Sequence, residues 1–264
     1  MRPWRLVDSG ALPCTLNMGI DQALLQLYAR GESPPTLRFY QWNPPGISLG
    51  RLQRKLGFDA VACKRLGFDI VRRPTGGRAV LHQNDLTYSI IAGIQAGIPI
   101  NLPAAYRLLC QGLLAGFRLL GIEAEVGQEQ AKAEQPDVCF LRSLISDIVY
   151  QGKKFVGSAQ TWSGSSLLQH GSILIEPQTA TWAELLGGDA DTQQTHCEDL
   201  KKRMTSLSEI LGHVPPINTV KAAIVKGMAQ ALGVVFAEGQ LTPSEWALAH
   251  EMVNQLKSTA EVHL

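Results

Sequence analysis

The sequence lacks a charge excess of either sign. Its 264 residues contain 24 Lys and Arg against 23 Asp and Glu, which gives a formal net charge of +1. Nucleic-acid-binding proteins usually carry a clear basic excess, so we exclude that class. Three short basic clusters remain, at 51–55, 72–73 and 201–203. We interpret them as solvated surface, with a landing patch for an acidic partner protein as the alternative.

Long hydrophobic segments are also absent. The stretch 1–10 has no apolar core of the kind that a signal peptide needs. The longest uncharged run, 87–106, is interrupted by glycines, prolines and polar residues, which favours a buried strand and loop over a membrane-spanning helix. We therefore expect a cytoplasmic protein that does not associate with membranes.

Cysteine and glycine motifs of the common metal and nucleotide sites are missing. The five cysteines are widely spaced, odd in number and form no CxxC pair, so we expect neither a disulfide framework nor a zinc site, and nothing indicates another metal. The TGGR stretch at 75–78 does not extend to the GxGxxG pattern of a dinucleotide-binding turn. At least some of the cysteines should be buried thiols, and one could be reactive.

Hydrophobic periodicity predicts an α+β fold with mixed or antiparallel sheets and surrounding helices. Helices are predicted at 16–30, 58–66 and 103–120, the last with Asn101 as its cap, and a final helix begins at a capping box formed by Thr242 and Glu245. The polar segment 127–137 is predicted to be a mobile loop, and beyond residue 180 the pattern is helical. The predicted strands lie at 37–41, 47–49, 69–73, 79–81, 86–92, 123–126, 146–151, 154–161 and 167–175.

One candidate site is the stretch RRPTGGRAVLH at 72–82. Paired glycines after a strand let backbone N–H groups approach a ligand without interference from Cβ atoms. The flanking arginines could hold a carboxylate or phosphate, or cover an acyl chain with their aliphatic stems. The alternative is a tight β-turn with solvated arginines.

A second candidate is the stretch KFVGSAQ at 154–160, with His170-Gly171-Ser172 on the next strand. A lysine followed by small residues leaves room for a substrate to lie against the backbone, with the ammonium near its carbonyl. The alternatives are a hairpin with a surface lysine and a hydrogen-bonded histidine of the core.

Cys139 is the third candidate, because it lies between the polar segment and the lysine strand. A free thiol with a pKa of about 8.5 is only about 3% thiolate at pH 7, and a nearby ammonium would raise that fraction. The alternative is an inert buried cysteine. The hydrophobic periodicity gives no evidence that Cys139 and Lys154 lie close together in the fold.

These motifs, in this order and spacing, resemble the catalytic-domain signature of the lipoate/biotin protein ligase family. The stretches NMGIDQALL, WNPPGISLG and LLQHGSI also fit, so the resemblance covers roughly residues 4–175 and extends weakly to about 212. Arg78 after the glycines and the Cys139-Phe140 pair are most similar to the octanoyltransferases of the LipM kind. Gln83 is a departure, since many relatives have an acidic residue there; this weakens any assignment of a base at that position.

The resemblance implies a catalytic domain at residues 1–215, with sheets and helices around an acyl tunnel, and a helical C-terminal extension at 216–264 packed on it. It implies octanoyl transfer from octanoyl-acyl carrier protein to a lysine of apo lipoyl domains, such as glycine-cleavage H protein or the E2 subunits of 2-oxoacid dehydrogenases. Cys139 would carry the acyl group as a thioester, Lys154 would orient its carbonyl and favour the thiolate, and neither ATP nor another cofactor would be needed. The implied acyl-site residues are Arg72, Arg73, Gly76, Gly77, Arg78, His82, Gly157, Ser158, Ala159, His170 and Gly171.

Three other functions remain open. An ATP-dependent lipoate-protein ligase would need no cysteine, and many bacterial ligases carry a longer C-terminal region than this chain has. A lipoyl-protein amidotransferase would share the thiol chemistry and differ only in its acyl donor. A non-catalytic acyl or carrier-protein binder would not be expected to keep both Cys139 and Lys154.

Overall fold

The computed structural model describes residues 3–127 and 147–260, with side chains described as far as residue 256. The helices in these ranges are α1 (Cys14–Ala29), α2 (Ala60–Arg65), α3 (Leu102–Leu119), α4 (Thr179–Leu186), α5 (Ala190–Arg203), α6 (Leu207–Leu211), α7 (Ile217–Leu232) and α8 (Pro243–Ala260). The strands are β1 (Trp4–Leu12), β2 (Thr36–Trp42), β3 (Gly46–Leu49), β4 (Asp69–Arg72), β5 (Val80–His82), β6 (Asp85–Gly93), β7 (Glu125–Val126), β8 (Ile148–Tyr150), β9 (Lys153–Ser163), β10 (Ser166–Leu174) and β11 (Phe236–Glu238).

The strands form two mixed sheets, which confirms the predicted α+β class. The large sheet has the order β11-β1-β2-β6-β10-β9-β8-β7, and the small one has the order β4-β3-β5. In the large sheet β1 runs parallel to β2 and β11. The other pairings of this sheet, β2–β6, β6–β10, β10–β9, β9–β8 and β8–β7, are antiparallel. In the small sheet β3 is parallel to β4 and antiparallel to β5.

The long predicted helices are confirmed, including their caps. The side chain of Asn101 accepts a hydrogen bond from Ala104 N at 3.1 Å, which satisfies one of the free amides at the start of α3. At the start of α8, Thr242 N donates to Glu245 Oε2 at 2.7 Å and Glu245 N donates to Thr242 Oγ1 at 3.2 Å. This reciprocal pair is the predicted capping box.

The neighbouring strands β11 and β1, at one edge of the large sheet, were not predicted. The periodicity after residue 180 indicates helix throughout, yet β11 forms there and pairs with β1 from the N-terminus. β11 is only three residues long and largely exposed, so it has no alternation from which it could be recognised. Its hydrogen-bonding partner lies more than 200 positions away in the sequence.

The C-terminal helices pack closely on the earlier ones through glycines. A Cβ atom on Gly227 of α7 would lie 2.2 Å from Gly116 N of α3, and one on Gly19 of α1 would lie 2.7 Å from Ala249 O of α8. These contacts require the absence of a side chain, since the helix backbones approach too closely for one. The boundary at residue 215 stays a prediction.

The core lies on both faces of the large sheet. Tyr88, Phe117 and Phe155 are fully buried between the sheet and α3, and the rings of Phe117 and Phe155 meet edge to face at 4.9 Å. A separate cluster around Trp182 packs between the small sheet and α4. Within residues 3–127 and 147–260, none of the helices is both long and apolar enough to cross a membrane.

Candidate active site

A cleft with an empty volume of about 520 Å³, part of it open to solvent, lies where the small sheet faces the large one. Strands β3 and β5 supply one wall, and β2, β6, β9 and β10 supply the other. The lining residues are Met18, Tyr40, Trp42, Ser48, Arg73, Gly77, Val80, His82, Thr87, Asp147, Gly157, Ser158, Ala159, His170, Gly171 and Ser172. Glycine, alanine and serine predominate on the β9–β10 wall, which leaves space for a ligand against the backbone.

The cleft includes most of the acyl-site residues that the sequence predicts, from both motifs. Those that line it are Arg73, Gly77, His82, Gly157, Ser158, Ala159, His170 and Gly171. Those that do not are Arg72, Gly76 and Arg78; Gly76 and Arg78 belong to the glycine turn beside the cleft, and Arg72 is the last residue of β4 before it. Their roles toward a substrate stay predictions.

The turn between β4 and β5 is held in shape by the two arginines before it. Arg73 donates to the carbonyl oxygens of Ser48, Gly76 and Arg78 at 2.7–2.8 Å. Arg72 donates to the carbonyl oxygens of the neighbouring loop, Gly50 and Gln53. The interpretation of the 72–73 cluster as solvated surface is therefore wrong for Arg73, whose side chain is buried among these carbonyls.

Geometry requires a glycine at one position of the turn and at one position of the neighbouring loop after β3. Gly77 has φ +91°, a backbone conformation that side-chain-bearing residues rarely adopt. A Cβ atom on Gly50 would lie 1.9 Å from the carbonyl oxygen of Gly77, so the turn and the loop after β3 touch backbone to backbone.

Lys154 is buried, with 1% of its side chain exposed, and its ammonium lies 3.0 Å from a carboxylate oxygen of Asp147, which is equally buried. The interpretation of Lys154 as a surface lysine is therefore wrong. Asp147 lines the cleft, so Lys154 lies one residue behind the cleft wall. In a buried ion pair each group compensates part of the desolvation cost of the other, and the contact fixes both in place.

Cys139 and the rest of 128–146 lie outside the described residues, as does most of the segment predicted to be a mobile loop. The residues on either side of that segment are close together, because Gly127 N donates to Asp147 O at 2.8 Å. The two described residues that flank this segment are therefore neighbours, and one of them, Asp147, is the ion-pair partner of Lys154.

The described cysteines are free thiols that are poorly suited to nucleophilic chemistry. Burial raises the pKa of Cys14 and of Cys110 to about 12, and that of Cys63 to about 11. Such thiols have thiolate fractions on the order of 10⁻⁴ to 10⁻⁵ at pH 7. Cys197 is half-buried on α5, away from the cleft lining.

His170 reaches from β10 to both α1 and the glycine turn. Its Nδ1 lies 3.0 Å from Asp21 Oδ2, and its Nε2 lies 2.6 Å from Thr75 Oγ1. Asp21 also accepts from Arg38 at 2.8 Å, from Tyr40 at 2.8 Å and from Ser89 at 2.9 Å. Both ring nitrogens of His170 are thus hydrogen-bonded, and this network ties the turn to the large sheet.

Asp21 makes the fold sensitive to acid. Burial alone would raise the pKa of its carboxyl, but the hydrogen bonds and charges of His170, Arg38 and Tyr40 outweigh burial and lower the pKa below 3.8. A lowered folded-state pKa stabilises the protein above the unfolded-state pKa, and this stabilisation is lost as the pH falls through the folded-state value.

Replacing Asp21 by Asn should therefore lower the free energy of unfolding by about 3–5 kcal/mol near neutral pH, because it leaves the Arg38 guanidinium buried without its counter-ion. The loss of stability below about pH 4 should also be shallower in the variant. Urea unfolding followed by circular dichroism at several pH values measures both effects. Parallel pH profiles for the two proteins would contradict the assigned role of Asp21.

His82 is fixed by a second set of contacts. Its Nδ1 lies 2.9 Å from Asp85 Oδ2, its Nε2 lies 2.8 Å from Ser48 Oγ, and the Trp42 ring stacks on it with a centroid distance of 3.8 Å. Burial lowers the pKa of His82, although Asp85 acts in the opposite direction. A lowered pKa keeps the imidazole neutral near pH 7, the form that accepts a proton.

Gln83, the departure from the family pattern, has a structural role. Its side-chain oxygen accepts from Thr181 Oγ1 at 2.8 Å, and its backbone carbonyl accepts from the Gln178 side chain. These contacts attach the end of β5 to the start of α4. Nothing in this arrangement gives Gln83 the chemistry of a base.

Several cleft residues were missed at the level of sequence, namely Met18, Tyr40, Trp42, Ser48, Thr87 and Asp147. Tyr40, Thr87 and Asp147 lie on or beside strands that were predicted only from their hydrophobic pattern. Met18, Trp42 and Ser48 lie in the stretches NMGIDQALL and WNPPGISLG, which contributed to the family resemblance without marking any one residue. In the part of the chain that the structure describes, no cluster of His, Cys, Asp and Glu could hold a metal ion.

Comparison with known proteins places these features in one family. Residues 13–229 match the family model of the lipoyl protein ligase A/B catalytic domain. Octanoyltransferase LipM of Geobacillus kaustophilus is 38% identical over 259 residues, which cover 94% of this chain and 93% of that protein. Octanoyltransferase LipM of Bacillus subtilis is 33% identical over 261 residues, covering 94% and 93% of the two chains.

Solved structures show the same fold. A putative lipoate protein ligase from T. acidophilum with bound lipoic acid superposes with a TM-score of 0.80 at 22% identity, covering 96% of this chain and 95% of that one. A lipoate-protein ligase A bound with ATP gives a TM-score of 0.77 at 22% identity, with the same coverage. At this level of identity the likeness concerns the fold alone.

Proposed function

Because the chain belongs to the lipoyl protein ligase A/B catalytic-domain family, we propose that it is an octanoyltransferase of lipoate biosynthesis. The observation that carries this proposal is its similarity to octanoyltransferases at 33–38% identity along more than nine-tenths of both chains. The donor is octanoyl-acyl carrier protein, and the acceptor is a lysine of an apo lipoyl domain. We include H protein and E2 subunits as acceptors and the cytoplasm as the location, both as predictions.

The reaction has two steps that share one acyl-enzyme. The Cys139 thiolate attacks the carbonyl carbon of the donor thioester; a new C–S bond forms, the old one breaks, and the donor leaves as a thiolate that takes up the proton Cys139 had released. The ε-amine of the acceptor lysine then attacks the acyl-cysteine. An amide forms, Cys139 leaves as a thiol after the amine proton has been transferred, and no ATP is consumed.

The cleft geometry supports this chemistry. The small residues Gly157, Ala159 and Gly171 line the wall along which an octanoyl chain could lie. Lys154 is ion-paired to Asp147, which lies between it and the cleft; that its ammonium favours the thiolate and polarises the carbonyl is part of the proposal. Cys139 is eight positions before Asp147, and a chain of that length spans at most about 29 Å. The position of Cys139 itself is part of the proposal.

The test is transfer between purified proteins without ATP. The chain is mixed with octanoyl-acyl carrier protein and, in separate reactions, apo H protein or an E2 lipoyl domain, and the intact mass of the acceptor is measured. We expect the acceptor to gain one octanoyl group. Modification only when ATP and free octanoate or lipoate are supplied would identify a ligase, and modification only from an octanoylated lipoyl protein would identify an amidotransferase. If no reaction modifies the acceptor, the remaining function is that of a non-catalytic protein that binds an acyl group or a carrier protein.

A further inference from the structure

Three residues from three different strands form a hydrogen-bonded chain in the cleft. Asp85 Oδ2 lies 2.9 Å from His82 Nδ1, and His82 Nε2 lies 2.8 Å from Ser48 Oγ. Asp85 Oδ2 accepts from two other hydroxyls as well, so we place the ring proton on Nδ1 as the donor to it, which leaves Nε2 as the acceptor of the serine hydroxyl proton. We refer to Asp85, His82 and Ser48 as the Ser48 relay. Its order, carboxylate to imidazole to hydroxyl, is the one that activates a serine for acyl transfer.

Further contacts hold the relay in place. Asp85 Oδ2 also accepts from Thr87 Oγ1 at 3.1 Å and from Ser172 Oγ at 2.7 Å, and the Trp42 ring lies flat against His82. The relay residues are at most 4% exposed, so water competes little for these hydrogen bonds. Preorganised groups in a dry site need little rearrangement during a reaction.

Arg73 adds a positive charge at the end of the relay. Its Nη1 donates to Ser48 Oγ at 3.2 Å, in addition to its stronger bond to the Ser48 carbonyl oxygen. A cation at that distance stabilises negative charge that develops on the serine oxygen. The neutral state of His82 near pH 7, caused mainly by its burial, leaves Nε2 able to take the proton.

A second chain of the same kind lies nearby and serves as a comparison. Asp21, His170 and Thr75 are linked at 3.0 Å and 2.6 Å in the same order. Thr75 is fully buried and does not line the cleft, so its hydroxyl has no access to a substrate. Ser48 and His82 both line the cleft. This difference distinguishes a reactive arrangement from a structural one.

We propose that Ser48 is a second nucleophile of this cleft, which gives the protein a slow esterase activity toward medium-chain activated esters that does not require Cys139. Ser48 Oγ attacks the ester carbonyl, the C–O bond to the leaving alcohol breaks, and the hydroxyl proton passes through His82 Nε2 to that alcohol. Water then attacks the acyl-serine by the same route, and the carboxylic acid leaves as Ser48 regains its proton. This activity is separate from the proposed octanoyl transfer and does not rest on it.

The Cys139→Ala variant tests the proposal, because it removes the competing thiol. With p-nitrophenyl octanoate we expect release of p-nitrophenolate above the rate of the buffer. A fluorophosphonate should add once per protein, with loss of fluoride, and peptide mass spectrometry should place the adduct on Ser48. Adding Ser48→Ala or His82→Ala should lower the hydrolysis rate at least about 100-fold and abolish the adduct.

Cys139→Ala/Ser89→Ala is the matched control, since Ser89 is equally buried but bonds to Asp21 and does not line the cleft. It should hydrolyse the ester as fast as Cys139→Ala does. If the variants at Ser48 do not fold, the proposal is tested by the identity of the residue that carries the phosphonate adduct in Cys139→Ala. An adduct on another residue, no adduct, or equal hydrolysis with and without Ser48 would overturn the proposal, whatever the outcome of the transfer assay.

Discussion

Cys139→Ser should lose at least about a thousandfold of the octanoyl transfer rate, the largest effect that we expect of any substitution in this chain. A serine hydroxyl is far less ionised than a thiol near pH 7, and its ester would not be in equilibrium with the donor thioester. Intact-protein mass spectrometry after mixing with octanoyl-acyl carrier protein measures the acyl-enzyme directly. The unmodified chain should gain one octanoyl group that hydroxylamine releases, and the variant should gain none.

Cys197→Ser is the matched control for this experiment. Cys197 is half-buried on α5, whereas burial raises the pKa values of Cys14, Cys63 and Cys110 to between about 11 and 12. Cys139 is the cysteine to which the family resemblance assigns the acyl group. A labile octanoyl adduct that persists in Cys139→Ser, or that disappears in Cys197→Ser, would rule out the proposed nucleophile.

Lys154→Met should have two separable effects. Acyl-enzyme formation should slow by about 100-fold or more, because the ammonium that favours the thiolate and polarises the carbonyl is lost. The free energy of unfolding should fall by about 3–5 kcal/mol, because the Asp147 carboxylate stays buried without the Lys154 counter-ion.

The double variant Lys154→Met/Asp147→Asn separates the two effects. Removing both charges should restore most of the lost stability, since a neutral buried pair has no unpaired charge to desolvate. It should not restore acyl-enzyme formation, because the positive charge is still absent. Single-turnover mass spectrometry and urea unfolding measure the two quantities on the same proteins. Recovery of the acylation rate along with the stability would give Lys154 a purely structural role.

Local patterns were sufficient to predict many elements of the fold. The helical periodicity of 103–120 and the Asn101 cap led to α3 within a residue or two, and the Thr242–Glu245 pair formed as its spacing predicts. Such features depend on residues three or four positions apart, which the sequence places side by side on a helix. The motif order also identified most of the cleft residues on β5, β9 and β10, but through a family resemblance and not through periodicity.

Contacts between distant residues could not be predicted in this way. Glu245 closes the predicted capping box, yet the same carboxylate forms a buried ion pair with Arg5 at 2.7 Å, across 240 positions of sequence. β11 exists because β1 lies beside it with unpaired backbone groups. No local sequence pattern indicates that Arg5 pairs with Glu245 or that β1 pairs with β11, since both contacts depend on how the whole chain is arranged.

The residue types of this chain determined its α+β class, the approximate bounds of α1, α2 and α3, its near-neutral charge and the motifs that mark its family. Only the tertiary structure decided which polar groups are buried together: Lys154 with Asp147, His170 with Asp21, and His82 with Asp85 and Ser48. Periodicity specifies which face of a strand is buried, whereas the chemistry of a buried side chain depends on the partner that the fold places within hydrogen-bonding distance.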